Sequence, residues 1–125
     1  EGKGMKQIIR GDVIYVDLGQ HPKTSIQSGV RPCVVVSNNK NNKFSKNINI
    51  CPCTSRVPKK KIITHILVTP KDVKGYFEEE SLLLVEQITV VAKKKIISKV
   101  GHIPETSEVM KKVNDAIIKQ LGVDM

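Results

Sequence analysis

The stretch Gly29-Val30-Arg31-Pro32-Cys33-Val34-Val35-Val36 decides the fold class of this sequence. Its second half is a continuous apolar run, which is typical of a central β-strand covered on both faces. Pro32 has no amide hydrogen and favours extended geometry at the residue before it, so the strand begins with the side chain of Arg31. The stretch therefore predicts a buried strand that presents a guanidinium group, suited to phosphate, at its start.

Strand patterns flank this run on both sides. Residues 12–18 alternate in a way that suits a sheet with one well-buried face. Further short apolar segments predict strands at residues 48–53, 65–69, 81–85, 88–91 and 96–100. Residues 21–29 are a long polar connection, which we expect to be mobile and functional. The Asn-rich residues 38–43 and the lysines at 59–61 predict a turn and an exposed loop.

Helical spacing appears only near the C-terminus. An apolar stripe is formed by Val109, Val113, Ala116, Ile117 and Leu121. Pro104 suits the first turn of this helix and Gly122 its end. The sequence therefore predicts a mainly β fold with a C-terminal helix (α+β), in which the helix packs on a barrel-like antiparallel sheet. We expect one domain over residues 10–122, with residues 1–9 as a frayed leader or cloning residues and 123–125 as a tail.

The charge balance favours a polyanionic partner. The chain has 21 Lys and Arg residues against 12 Asp and Glu residues, a formal net charge of +9. Each basic side chain near a phosphate releases condensed counterions on binding, so this surplus suits nucleic acid. Aromatic residues are scarce and Trp is absent, which argues against a surface that stacks base after base. We therefore expect phosphate contacts and polar contacts to base edges.

Several signatures of other classes are missing from the sequence. It has no phosphate-binding glycine loop, no G-x-S-x-G elbow and no H-E-x-x-H zinc helix. Cys33, Cys51 and Cys53 are odd in number, which argues against a closed disulfide framework and favours small buried hydrophobes. A zinc site made of these three thiolates and His65 is the alternative. No apolar run reaches the roughly 20 residues that span a bilayer, and no signal peptide is evident, so we expect a cytoplasmic protein.

Seven short motifs, taken in order, resemble the MazF/PemK toxin family. They are Arg10-Gly11-Asp12-Val13, Gly29-Val30-Arg31-Pro32, Val35-Val36-Ser37-Asn38, Asn42-Lys43-Phe44-Ser45, Cys53-Thr54-Ser55, Thr64-His65 and Leu83-Leu84-Val85-Glu86-Gln87-Ile88. Each motif is weak by itself, but their ordered combination is specific. The resemblance extends from about Arg10 to Gly122.

The resemblance implies an SH3-like barrel of the MazF/PemK/CcdB toxin type. It further implies a homodimer that cleaves single-stranded mRNA at short sequences without a metal or another cofactor, and that an acidic, MazE-like antitoxin inhibits. Arg31 and Thr54 match the family's catalytic pair. The implied reaction is attack by the ribose 2′-hydroxyl, which leaves a 2′,3′-cyclic phosphate and a 5′-hydroxyl. A guanidinium and a hydroxyl donor suit the extra negative charge of the phosphorane that this attack creates.

The resemblance also implies RNA contacts, made by Gln27, Ser37, Asn38, Phe44, Ser55 and Gln87. It leaves the general base unassigned, because Ile26 occupies a loop position at which family members often carry an acid. His65 or Glu86, the substrate, or a perturbed Arg31 are the alternatives. Two other functions stay open: a CcdB-like poison that binds DNA gyrase, and an RNA-binding module whose catalysis has decayed.

Overall fold

The computed structural model describes residues 7–56 and 62–123. In these residues the chain forms eight strands: β1 (Asp12–Asp17), β2 (Val30–Val35), β3 (Asn47–Thr54), β4 (His65–Val68), β5 (Lys74–Gly75), β6 (Ser81–Leu84), β7 (Thr89–Ala92) and β8 (Ile96–His102). The two α-helices are α1 (Asn39–Phe44) and α2 (Glu108–Leu121). Each strand except β5 overlaps a predicted one. The predicted loop at residues 59–61 lies outside the described residues.

The strands pair antiparallel in the order β4-β6-β3-β2-β1-β8-β5, and β7 also pairs with β3. Residues 47–50 of β3 pair with β7, whereas Cys53 and Thr54 pair with β6. Pro52, which has no amide hydrogen to donate to a neighbour, lies between these two partners. The long strand β3 thus connects two parts of a curled, half-barrel sheet, as the predicted barrel-like fold requires.

The core lies on both faces of the central strand β2. Val34 and Val36 belong to one buried apolar cluster, whereas Cys33 and Val35 belong to another. Because successive side chains point to opposite faces of a strand, these clusters lie on the two sides of the sheet. The predicted strand covered on both sides is therefore confirmed. Helix α2 contributes Val109, Met110, Val113 and Ala116 to the first cluster.

The C-terminal helix differs from its prediction at both ends. It begins after Ser107, whose hydroxyl oxygen accepts a hydrogen bond from the Met110 N–H at 3.2 Å. Pro104 therefore lies before the first turn rather than in it. Gly122 ends the helix in the left-handed region, with a φ of 67°. Leu121, predicted to complete the apolar stripe, is exposed, because the part of α2 that packs against the core ends about one turn earlier, at Ile117.

Two further segments correct the predictions. Residues 38–43 were predicted as a turn, but α1 occupies most of them, because the Asn38 side chain caps the helix by accepting a bond from the Asn41 N–H at 2.8 Å. Ile8 was assigned to a frayed leader but is buried in the second cluster. The packed chain therefore begins before Arg10. Within the described residues no helix is long and apolar enough to cross a membrane.

Candidate active site

Arg31 and Thr54 lie at the same end of the β2–β3 pair. The last cross-strand pair before the strands separate is Cys33 with Pro52. Arg31 is two residues before Cys33, and Thr54 is two residues after Pro52. Since side chains two residues apart on a strand share a face, both side chains start from the same face at this end. The structure therefore brings the two predicted catalytic residues to one edge of the sheet.

The Arg31 side chain is anchored through one nitrogen. Its Nε–H donates to the Ser28 carbonyl oxygen at 3.0 Å. In residues 7–56 and 62–123 no carboxylate forms an ion pair with it. The two terminal nitrogens of the guanidinium therefore keep their donors and their charge for an anion.

Thr54 is almost buried, with 8% of its surface exposed. Its Oγ1 accepts a hydrogen bond from the Arg56 N–H at 3.2 Å. That contact uses the oxygen as an acceptor, so the hydroxyl hydrogen remains available for donation. Ser55, the next residue, lines a cleft of about 190 Å³ together with Arg31, Tyr15 and Glu78. Ser55 and Arg31 thus border the same small cleft, and Thr54 is the residue before Ser55.

His65 and Glu86, the two alternative bases, form a single hydrogen-bonded unit. The His65 Nε2 and the Glu86 Oε2 are 2.9 Å apart, and the Thr64 hydroxyl donates to Glu86 Oε1 at 3.1 Å. The His65 side chain is only 8% exposed, whereas that of Glu86 is 25% exposed. The buried His65 Nδ1 has no hydrogen-bond partner among the described residues. Glu86 is therefore the accessible member of the pair and His65 its buried neighbour.

Glu86 borders a second, larger cleft of about 580 Å³. Its lining also includes Gln27, Pro52, Gln87 and Val90. Pro52 of this cleft and Cys53 of the smaller cleft are successive residues of β3. The two clefts therefore flank the same segment of the strand, just before Thr54.

Gln27 and Gln87, both predicted to contact RNA, bind each other. The Gln87 Oε1 accepts a hydrogen bond from the Gln27 backbone N–H at 2.9 Å, and the Gln87 Nε2 donates to the Ser25 carbonyl oxygen at 3.0 Å. The Gln27 side-chain Oε1 is buried and has no partner among residues 7–56 and 62–123. The long polar connection predicted as mobile is thus tied to the turn at residues 85–87. The local pattern of polar residues held no signal for this contact.

The other predicted RNA contacts lie elsewhere on the chain. Ser37 is buried; its hydroxyl donates to Asn42 Oδ1 and accepts from the Asn49 N–H at 3.0 Å. Its hydroxyl is therefore already bound within the protein, and its predicted contact with RNA remains a prediction. Asn38 is exposed and caps α1, and Phe44 is 73% exposed at the end of that helix.

Asn38 and Phe44 are distant from the predicted catalytic residues Arg31 and Thr54 along the sheet. Helix α1 leads into the first residues of β3, whereas Thr54 is the last residue of that strand. Seven residue steps along a strand cover about 23 Å. The structure therefore does not bring Asn38 and Phe44 together with Arg31 and Thr54. Their contacts with RNA remain predictions.

All three cysteines are buried and free. Burial raises the pKa of Cys33 and of Cys51 to about 12, and it raises the pKa of Cys53 well above its usual value. No group of three His, Cys, Asp or Glu side chains that could hold a metal ion occurs in the part of the chain that the structure describes. The cysteines therefore act as apolar core residues, and the alternative zinc site has no support.

Comparison with known proteins gives concordant results. Residues 9–121 match the family described as PemK-like, MazF-like toxin of type II toxin–antitoxin system. The chain is 37% identical over 109 residues to a protein named Endoribonuclease EndoA from Bacillus subtilis (strain 168), covering 86% of this chain and 89% of that protein.

Solved structures share the fold. A MazF crystal structure from Deinococcus radiodurans matches with a TM-score of 0.75 at 17% identity, covering 94% of this chain and 99% of the other. An endoribonuclease in complex with its cognate antitoxin, from a mycobacterial species, matches with a TM-score of 0.73 at 24% identity, covering 94% and 98%. At these identities the structural matches establish the fold alone.

Proposed function

We propose that this chain, which belongs to the PemK-like, MazF-like toxin family of type II toxin–antitoxin systems, is an endoribonuclease that cleaves single-stranded RNA. The single observation that carries the proposal is the position of Arg31 and Thr54, each two residues beyond the last β2–β3 pair. The similar protein from Bacillus subtilis, named as an endoribonuclease, supports the same activity. The surplus of positive charge supports a polyanionic substrate.

In the proposed reaction the ribose 2′-oxygen loses its proton and attacks the adjacent phosphorus, and the bond to the 5′-oxygen breaks as that oxygen takes up a proton from water. The products are a 2′,3′-cyclic phosphate and a 5′-hydroxyl. The phosphorane carries more negative charge than the phosphodiester, so donors aimed at its oxygens lower the barrier. Arg31 supplies the terminal guanidinium donors left free by its bond to Ser28, and Thr54 supplies its hydroxyl hydrogen. Neither role calls for a metal ion.

We assign removal of the 2′-proton to Glu86. Ile26, at the loop position where the resemblance leads one to expect an acid, has no group that accepts a proton. Glu86 is the accessible member of its pair with His65 and lines the larger cleft. Thr64 and His65 hold its two oxygens in place. His65 is thus a positioning residue for the base.

The proposed partners follow from charge and exposed apolar surface. An acidic antitoxin complements the net charge of +9, and family membership makes such a partner part of the system. Single large apolar side chains are exposed on the loop and on the strands, among them Ile26, Val30, Leu67, Val90 and Ile97. We propose that a second copy of the chain covers part of this surface in a homodimer, which acts in the cytoplasm.

One assay tests this function. Purified protein is incubated with a long RNA in excess EDTA, and the ends of the fragments are mapped. We expect discrete cuts with 5′-hydroxyl ends, and weaker binding as salt rises, because several phosphates are neutralised. Intact RNA together with inhibited gyrase would identify a gyrase poison instead. RNA that is shifted in a gel but uncut would identify a binding module without catalysis.

A further inference from the structure

We propose that Gln87 is a positioning residue that fixes the guanidinium of Arg31 through the loop at residues 19–29. This inference rests on the proposed function and deepens it, because it assigns to Gln87 a task other than contact with RNA. The side chain of Gln87 binds the loop backbone, and the loop backbone binds Arg31. The three contacts form one chain of hydrogen bonds.

The first link joins Gln87 to the loop. Its side-chain amide accepts from the Gln27 N–H at 2.9 Å and donates to the Ser25 carbonyl oxygen at 3.0 Å. One amide thus satisfies a donor and an acceptor of the loop backbone, much as a neighbouring strand would. The two contacts span 60 and 62 residues of sequence. They hold a stretch of loop that pairs with none of the eight described strands.

The second link joins the loop to Arg31. Ser28 follows directly after Gln27, and its carbonyl oxygen accepts from the Arg31 Nε–H at 3.0 Å. On the other side of Ser28, Gly29 closes the loop through backbone bonds to Leu18 and Gly19 of 2.9 and 2.8 Å. The Ser28 carbonyl is therefore held from both directions. Loss of the Gln87 contacts removes the restraint on the Gln27 side of Ser28 and leaves the one at Gly29.

The backbone at Gln87 is itself held in place by the turn to which it belongs. It ends the 3₁₀ turn Val85–Gln87, in which Val85 is completely buried and its N–H bonds to the Thr64 carbonyl oxygen at 3.1 Å. The preceding residue is Glu86, already bound to His65. Two adjacent residues of one turn therefore have different tasks: Glu86 is the proposed base, and Gln87 binds the loop that contacts Arg31.

The hydrogen bonds also argue against direct reading of RNA by Gln87. Both ends of its amide are used within the protein, so contact with a base requires release of the loop. An acceptor in the larger cleft that has no partner among the described residues is instead the Oε1 of Gln27. Gln87 therefore holds the loop, and the Oε1 of Gln27 is the atom that can still accept a hydrogen bond.

The experiment compares Gln87→Met, which keeps the length of the side chain and removes both hydrogen bonds, with Gln120→Met on the exposed face of α2. Because small misplacement of a catalytic group is costly, we expect Gln87→Met to lower kcat on the order of 10- to 100-fold. We expect KM to stay within about threefold and the cut sites to be unchanged, as for a loss felt in the transition state. Gln120→Met should behave as wild type.

A rise in KM or a change in cut sites at unchanged kcat would overturn the proposal and make Gln87 a reader of RNA. An unchanged kcat, KM and cut-site pattern would also overturn it. Gln87→Glu keeps the acceptor for the Gln27 N–H and loses the donor to Ser25, so its kcat should lie between those of wild type and Gln87→Met.

A second readout separates this inference from the activity. Hydrogen exchange of the Gln27 N–H and of the Arg31 Nε–H is measured by NMR in the uncomplexed protein. Faster exchange at both positions in Gln87→Met, but not in Gln120→Met, supports the chain of contacts even if wild type cuts no RNA. Unchanged exchange at Arg31 overturns it even if wild type is a nuclease.

Discussion

The Nε2 of His65 and the Oε2 of Glu86 lie 2.9 Å apart. The two side chains, which the sequence offers as alternative general bases, therefore form one hydrogen-bonded pair. The residues are 21 positions apart, on β4 and on the turn after β6. Strands β4 and β6 are paired, with His65 opposite Leu84. Sheet pairing therefore brings the imidazole to the carboxylate.

If Glu86 is the general base and His65 holds it in place, the effects on kcat of replacing each residue should not be additive. Loss of a general base typically costs 10²–10⁴-fold in rate, so we expect Glu86→Gln to lower kcat by about that much. His65→Asn should cost less alone and about nothing further in the Glu86→Gln background. Cleavage rates of the single and double variants measure this. Additive losses would show that the two residues act separately.

Replacement of Arg31 tests whether its guanidinium group stabilises the phosphorane. Arg31→Ala should lower cleavage on the order of 10³-fold or more, since it removes both the charge and the donors that face the phosphorane. Arg31→Lys should recover only part of the activity, because the planar fork is lost. The matched control is Lys112→Ala, which removes one charge from an exposed position of α2. Near-normal cleavage by a folded Arg31→Ala variant, checked by circular dichroism, would refute the assignment.

Replacement of Thr54 tests the hydroxyl. Thr54→Val keeps the shape of this nearly buried side chain and removes its donor, so we expect a loss on the order of 10²-fold in kcat. Thr54→Ser should keep most of the activity. Thr106→Val, at an exposed position before α2, is the control. A rate for Thr54→Val within assay error of wild type would leave Thr54 with a structural role only.

Asp12 should matter for stability rather than for cleavage. Its fully buried carboxylate accepts from the Ile9 N–H at 2.8 Å and contacts His102 Nδ1 at 2.9 Å and Lys99 Nζ at 3.0 Å. Asp12→Asn weakens three contacts to partners that are only partly exposed, so we expect a loss of about 2 to 3 kcal/mol in the free energy of unfolding. Urea denaturation measures this loss. An equal effect of Asp115→Asn, on the exposed side of α2, would contradict it.

The buried thiols should be unreactive in the folded protein. A pKa raised to about 12 leaves Cys33 and Cys51 protonated at pH 8, with about one thiolate in 10⁴. Unfolding restores the usual pKa of 9.0, so all three cysteines should react rapidly with a thiol reagent in denaturant and slowly without it. Rapid labelling of the native protein would show that a thiol is accessible and ionised. The reagent's absorbance gives both rates.

Much of the architecture could be predicted from local pattern. Alternation and apolar runs located seven of the eight strands, and the two-residue strand β5 escaped because so short a segment has no periodicity. The turn predicted at residues 38–43 rests on their Asn content alone. A capping side chain turned it into α1, since the same residues that favour turns also cap helices.

The candidate site was predictable only in part. Arg31 could be singled out from the local sequence around Pro32, whereas Thr54 was singled out only through the family resemblance. The burial of Ser37 could not be predicted, because it depends on Asn42 and Asn49, which contact it only in the folded protein. No local signal distinguishes a buried serine from one that lines a groove.

By itself the sequence determined where seven of the described strands lie along the chain, the C-terminal helix, the positive charge and the cation at the start of β2. These features depend on neighbours along the chain, through side-chain periodicity and the geometry of proline. Tertiary structure alone decided which polar groups meet: His65 with Glu86, and Gln87 with the loop before Arg31. Such contacts join residues 21 and 60 positions apart, and they form only once the sheet curls around β3 and brings distant segments within hydrogen-bond reach.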